Sequence, residues 1–171
     1  MPRRPSPPSK WSACSAGCER DGPGSSEPSV RRESREKVFQ TLFMMDALGV
    51  GPDEAIPLFA LTSDPPSDPD YYAEAVRGVW DRREEIDSLI GEAAEHWRVE
   101  RMALVDRNIL RLGAYELSVG SDIPFAVAIN EAVELGKRFG AEDSGAFING
   151  ILDRISEILR KKISAGDRRE V

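Results

Sequence analysis

The sequence is poor in the residues that bind metals or cross-link small domains. Two cysteines, Cys14 and Cys18, and one histidine, His96, occur among 171 residues. A tetrahedral zinc site needs about four Cys or His ligands, and a chain of this length can build a hydrophobic core without disulfides. We therefore expect no metal and no other cofactor, and we take the cysteine pair to be incidental.

Long hydrophobic runs and catalytic motifs are also missing. No apolar run approaches the roughly 20 residues that span a bilayer, and no hydrophobic stretch follows the early arginines of a signal-like start. The chain has no Gly-x-Ser-x-Gly elbow, no phosphate-binding loop and no dinucleotide fingerprint. We expect a cytoplasmic protein that is not an enzyme, with Glu131 and Glu134 as solvated or capping carboxylates.

Acidic residues outnumber basic ones, 30 to 23, for a net charge of -7. Residues 1–30 carry a net charge of +1, and 16 of them are Pro, Gly or Ser, so the acidity belongs to the rest of the chain. An acidic body disfavours non-specific wrapping of nucleic acid but permits a short basic element. The composition predicts a disordered extension over 1–29, one domain over 30–165 and a disordered tail over 166–171.

Apolar residues recur with helical spacing along most of the chain, and no segment alternates for long enough to predict a strand. The pattern predicts helices over 31–48, 53–60, 102–117, 125–139 and 147–159, and a longer helical region that opens at Pro69 and runs toward Trp97. Asp68 should cap that region, because it precedes a proline at the first helical position. We predict an all-α protein, a helical bundle of about six or seven helices.

A short basic element opens the first helix. Helical spacing places Arg32, Arg35, Phe39 and Phe43 near one stripe. Arginines neutralise phosphates and aromatic rings stack on unpaired bases, so this stripe is a candidate surface for single-stranded nucleic acid. The alternative stays open that the rings belong to the core, since neighbouring glutamates offset half of the charge.

The second half of the chain carries three longer motifs. They are DRNILRLGAYEL from Asp106, DIPFAVAINEAVELGKRFGAEDS from Asp122 and FINGILD from Phe147. With these motifs and the arginine-rich helix start, residues 31–159 resemble the NusB family of transcription antitermination factors. The resemblance implies an all-helical protein in two small subdomains.

The same resemblance implies a function and a set of contacts. The protein would bind the boxA element of ribosomal RNA leader transcripts together with NusE, a ribosomal protein, on RNA polymerase. The resemblance also allows the protein to form a homodimer. Asp106 would lie at the partner surface. The residues that the resemblance assigns to RNA are Arg31, Arg32, Arg35, Gln40, Phe43, Asp143 and Phe147.

Four positions depart from the family pattern. Glu33 stands where another arginine is common, Phe43 lacks a tyrosine hydroxyl, and Ala126 and Ala146 stand where some relatives have lysine. These changes favour weaker RNA binding by the protein alone. Two other functions remain open: a helical protein-interaction module without RNA affinity, and a stand-alone relative of the RNA-binding domain of ribosomal RNA cytosine methyltransferases.

Some prominent motif residues have structural explanations. We expect Asn130 and Tyr115 to be buried polar side chains, and Gly136 and Gly150 to permit close helix packing. Phe147 should be exposed in the first turn of its helix. The core stripe of that helix is then supplied by Ile148, Ile151, Leu152 and Ile155.

Overall fold

The computed structural model describes residues 28–95, 97–119 and 123–166. Within these ranges the chain forms seven α-helices and no strand, which confirms the all-α prediction. A single 3-10 turn, Val99–Arg101, precedes the fifth helix. The helices are α1 (Pro28–Leu48), α2 (Pro52–Thr62), α3 (Pro69–Asp81), α4 (Arg83–Ala93), α5 (Leu104–Ser118), α6 (Phe125–Phe139) and α7 (Ser144–Gly166).

Local sequence sets several of the helix ends. Gly49 follows α1 with φ of 69°, a left-handed conformation that glycine adopts without strain, and its N–H donates to the Met45 carbonyl at 2.8 Å. The predicted cap of α3 is confirmed, because Asp68 Oδ1 accepts from the Tyr71 backbone N–H at 3.1 Å. Pro69 occupies the first turn, where a missing N–H costs nothing.

The helical region after Pro69 is two helices and not one. Arg82 separates α3 from α4 with φ of -103° and ψ of 17°, outside the helical range. The break lets the two apolar stripes face different partners: α3 packs on α1 and α5, whereas α4 packs on α5 and α7. Periodicity alone could not reveal this break, since the apolar spacing continues through it.

The helices divide into two groups that share one core. Helices α1, α2 and α3 pack together, α4 to α7 form the second group, and α5 contacts both. Every residue of α5 from Asn108 to Leu117 is buried, as expected for a central helix. The two groups correspond to the two small subdomains that the family resemblance implies.

A polar cluster around Asp46 joins the subdomains. Asp46 Oδ2 accepts from Arg107 Nη2 at 2.6 Å and from Asn108 Nδ2 at 3.1 Å. Arg111 reaches Asp46 Oδ2 at 3.2 Å and holds both carboxylate oxygens of Asp87 at 2.7 Å. Burial opposes the ionisation of Asp46, but these partners outweigh it and hold the pKa of Asp46 below its usual value. The cluster ties α1 to α5 and α4.

The first and last described helices begin and end close to the predicted domain boundaries. Helix α1 begins two residues before the predicted start at residue 30, and α7 ends one residue after the predicted end at 165. Residues 1–27 and 167–171, which hold both cysteines and most of the two predicted tails, lie outside the described residues, as does His96. None of the described helices combines the length and apolar character that a bilayer span requires.

Candidate nucleic-acid interface

Arg32 lies on the surface at the start of α1 and is held by Glu131 of α6. Its Nε and Nη2 atoms donate to the two Glu131 carboxylate oxygens at 3.0 and 2.6 Å. The Arg32 side chain is 61% exposed and that of Glu131 is 11% exposed. The hydrogen bond and charge of Arg32 lower the pKa of Glu131, so the carboxylate stays ionised at neutral pH. Glu131 thus occupies the guanidinium fork that a phosphate would use.

Arg35 lies three residues further along α1 but is buried, with 4% of its surface exposed. Its Nε donates to the two carboxylate oxygens of Glu116 at 2.8 and 3.1 Å. Tyr71 Oη donates to Glu116 Oε1 at 2.7 Å, and burial, aided by the Glu116 charge, raises the pKa of Tyr71. Direct contact between Arg35 and RNA stays a prediction, and it would require this buried cluster to open.

The predicted stripe along α1 is split between the core and the surface. Phe39 is buried, with its ring centroid 5.1 Å from that of Phe139 and 6.4 Å from that of Phe43. Phe43 is half-buried, as is Gln40, whose Nε2 donates to Glu36 at 3.5 Å. Phe43 and Gln40 therefore keep surface that a ligand can reach, whereas Phe39 packs the interior.

Arg31 lies beside an acidic cleft of about 440 Å³. Its side chain is half-buried, and its Nε atom is buried without a hydrogen-bond partner among the described residues. The carboxylates that line the cleft are those of Asp68, Asp70, Glu74 and Glu116. These carboxylates therefore offset part of the Arg31 charge.

The surface continues from α1 to the end of α6. Arg138 forms an ion pair with Glu36 and places its guanidinium 5.0 Å from the centroid of the Phe139 ring. The Arg138 side chain is 64% exposed. A cation and partly exposed rings thus lie side by side where α1 meets α6.

Asp143 lies in the loop after α6, and Phe147 lies in the first turn of α7. Asp143 is exposed, and its backbone carbonyl accepts from the Phe147 N–H at 3.0 Å. Ser144 Oγ closes the loop by accepting from the Ala141 N–H at 2.8 Å. Phe147 is half-buried rather than fully exposed, and its ring centroid lies 5.9 Å from that of Trp97 in a nearly perpendicular arrangement.

Asp106 lies in the first turn of α5, whereas Arg31, Arg32 and Arg35 lie on α1. Its side chain is half-buried, and its Oδ1 atom is buried without a hydrogen-bond partner in the part of the chain that the structure describes. A carboxylate is favourable at a helix N-terminus, where backbone N–H groups carry partial positive charge. The assignment of Asp106 to a partner surface stays a prediction.

Two carboxylates whose roles no sequence pattern predicts, those of Glu131 and Glu116, organise this site. Glu131 and Glu134 were expected to be solvated or capping. Glu134 is exposed and pairs with Lys137 at 2.7 Å, but Glu131 fixes Arg32, and Glu116 fixes Arg35. These partners are 99 and 81 residues apart in sequence, and no local pattern signals such pairs. Within the described ranges, no three His, Cys, Asp or Glu side chains form a group that could bind a metal.

The structural explanations for the motif residues hold only in part. Tyr115 is buried, and a Cβ on Gly136 would lie 2.5 Å from Ile148 Cδ1, so close packing explains both. Asn130 is exposed on α6, and a Cβ on Gly150 would meet no atom within 4 Å. The expectation for Asn130 was therefore wrong, and packing does not account for Gly150.

Comparison with known proteins gives one consistent result. The model of the NusB family matches residues 32–157. The transcription antitermination protein NusB of Desulfatibacillum aliphaticivorans is 44% identical over 140 residues, which cover 81% of this chain and 98% of that protein. The NusB protein of Symbiobacterium thermophilum is 47% identical over 135 residues, covering 73% and 88%.

Solved structures agree with the sequence matches. NusB from T. maritima superposes with a TM-score of 0.67 at 39% identity, over 74% of this chain and 90% of that one. A crystal structure of the antitermination factors NusB and NusE in complex with dsRNA contains a chain that superposes with a TM-score of 0.68 at 28% identity. That match covers 77% of this chain and 99% of the other.

Proposed function

Because the chain belongs to the NusB family, whose relatives are transcription antitermination proteins, we propose that it binds the boxA element of ribosomal RNA leader transcripts. The observation that carries this proposal is a set of exposed cations and partly exposed rings at the start of α1, the end of α6 and the first turn of α7. Arg32 and Arg138 supply exposed guanidinium groups there, and Phe43, Phe139 and Phe147 supply partly exposed rings. Guanidinium groups suit phosphates and rings suit unpaired bases.

The proposal assigns different tasks to the residues of this surface. Arg31 and Arg32 neutralise phosphates, Phe43 and Phe147 stack on bases, and Gln40 and Asp143 hydrogen-bond to base edges. Asp143 can accept a hydrogen bond from a base amino group. Arg35 has a structural task, because its guanidinium is buried and hydrogen-bonds to the Glu116 carboxylate. The role is one of binding, with no catalytic step.

The ion pairs formed by the arginines explain why a protein partner would be needed for tight RNA binding. Each RNA phosphate that reaches Arg32 must displace the Glu131 carboxylate, which lowers the gain from the contact. The same pairing keeps the acidic body from binding RNA indiscriminately. We propose that NusE supplies the missing affinity on RNA polymerase in the cytoplasm, with Asp106 at its contact. The relative solved with NusE and dsRNA supports this choice of partners.

One rival function is favoured by a specific observation. Since Arg32, Arg35 and Arg138 all have carboxylate partners, the surface could serve protein contacts alone. Such a module would bind NusE and show no preference among RNAs.

A relative of the methyltransferase RNA-binding domain would instead bind structured ribosomal RNA in preference to boxA.

An equilibrium titration separates these functions. The full chain is titrated with single-stranded boxA RNA, a scrambled RNA of equal composition and a boxA duplex, each with and without NusE. We expect boxA to bind more tightly than the scrambled RNA, and NusE to increase the affinity for boxA. Equal affinities for boxA and scrambled RNA, with and without NusE, would overturn the proposal.

A further inference from the structure

Trp97 is the most exposed aromatic side chain in the described part of the chain. It is 59% exposed, whereas the other described aromatic rings are buried or half-buried. It lies in the short link between α4 and the 3-10 turn. Leaving much of a ring of this size in water forgoes hydrophobic stabilisation. The uncovered part of the indole is available to a ligand.

The position of Trp97 is fixed by the structure around it. Its backbone N–H donates to the Ala94 carbonyl at 2.6 Å, just after the end of α4. Its ring meets the Phe147 ring nearly at right angles, with 5.9 Å between centroids. A perpendicular contact of this kind is favourable for aromatic pairs and leaves indole surface uncovered.

Trp97 continues the surface already proposed for RNA. That surface passes from α1 to α6 through the Arg32–Glu131 and Arg138–Glu36 ion pairs, and the loop after α6 leads to Phe147. Beyond Phe147 the next ring is Trp97. In this stretch Arg98, Glu100 and Arg101 are exposed, as is Glu95 before Trp97, whereas Val99 is buried. Arg98, next to Trp97 in sequence, can pair with a phosphate beside a base that stacks on the ring.

We propose that Trp97 stacks on an unpaired base of a bound single-stranded RNA, next to the base contacted by Phe147. This inference rests on the proposed function, because it extends the same surface by one nucleotide site. Stacking alone favours no particular base, since every base has a π-face. Trp97 thus adds affinity for single strands over duplexes, in which both faces of each base are already stacked.

The test compares Trp97→Phe with Trp97→Leu in the full chain. Phenylalanine keeps a ring, whereas leucine keeps apolar area without one. We expect Trp97→Leu to weaken binding to single-stranded boxA RNA about tenfold, within the range measured for loss of one stacked base, and Trp97→Phe to weaken it much less. Thermal melting of both variants checks the fold, and Phe147→Ala serves as the reference for the proposed surface.

A series of boxA RNAs, each with one abasic nucleotide, locates the base. At the nucleotide whose base stacks on Trp97, an abasic RNA combined with Trp97→Leu should lose no more binding free energy than either change alone. This coupling isolates the contact even if Trp97→Leu lowers the melting temperature. At every other position the two losses should add.

Three results would overturn the inference. Wild-type RNA affinity of Trp97→Leu, with weakened binding by Phe147→Ala, removes Trp97 from the RNA surface and leaves the proposed function standing. Loss of NusE binding without change in RNA affinity assigns Trp97 to a protein partner. Absence of any boxA preference in the wild-type chain ends both the proposed function and this extension.

Discussion

Two arginines three residues apart at the start of α1 have opposite environments. Arg32 is exposed and Arg35 is enclosed, although helical spacing places them near one stripe. The difference comes from Glu131 and Glu116, which lie far away in sequence. The sequence therefore predicts the arginine-rich helix start, but only the packing of α1 on α5 and α6 decides which guanidinium can reach RNA.

Replacing Arg35 tests its structural role. We expect Arg35→Ala to lower the free energy of unfolding by about 3 to 5 kcal/mol, because it leaves the Glu116 carboxylate buried without its cation. Arg32→Ala, the matched control on the same helix, should change the free energy of unfolding little. Urea denaturation of both variants gives the comparison. Similar small losses from both would mean that the buried pair does not stabilise the fold.

The residues of α7 show how far a helical pattern reaches. Ile148, Ile151, Leu152 and Ile155 are buried as predicted. Phe147, which the sequence predicts to be exposed, is half-buried against Trp97. The loop residues before it indicate a position in the first turn of a helix, but the ring that covers one side of it comes from the link after α4.

At the scale of helices, glycines and capping residues predict the helix ends well. Gly49 and Gly140 end helices where expected, and Asp68 caps one. The predicted span 125–139 coincides with α6. The break at Arg82 was missed because it carries neither glycine nor proline and because the apolar spacing runs on into α4. Tertiary packing, and not local sequence, sets that break.

Gly136 and Gly150 form a matched pair for testing how closely α6 and α7 pack. Gly136→Ala should destabilise the protein by about 1 to 3 kcal/mol, because its Cβ would overlap the buried Ile148. Gly150→Ala should be neutral or stabilise by up to about 1 kcal/mol, since alanine favours a helix and open space surrounds the site. Thermal melting of both variants measures the effects. A destabilising Gly150→Ala, or a silent Gly136→Ala, would show that the helix spacing described here is wrong.

At the scale of the whole molecule, the two subdomains are joined by buried charge as well as by apolar packing. The Asp46 cluster ties α1 to α4 and α5, and the Glu116 cluster ties α1 to α3 and α5. Composition and periodicity predict the helical class and an acidic body. They do not predict these clusters, since each joins side chains from different helices.

The proposed function requires that the surface from α1 to α7 binds RNA and that Glu131 competes with phosphate for Arg32. The most direct test measures boxA affinity against salt concentration for the wild type, Arg32→Ala and Glu131→Gln. Arg32→Ala should weaken binding and make the slope of log affinity against log salt shallower by about 0.7, the loss of one phosphate contact. Glu131→Gln should strengthen binding about two- to fivefold, the range of a surface ion pair released for phosphate. Unchanged affinity and slope in both variants, in a protein whose wild type binds boxA, would contradict the account.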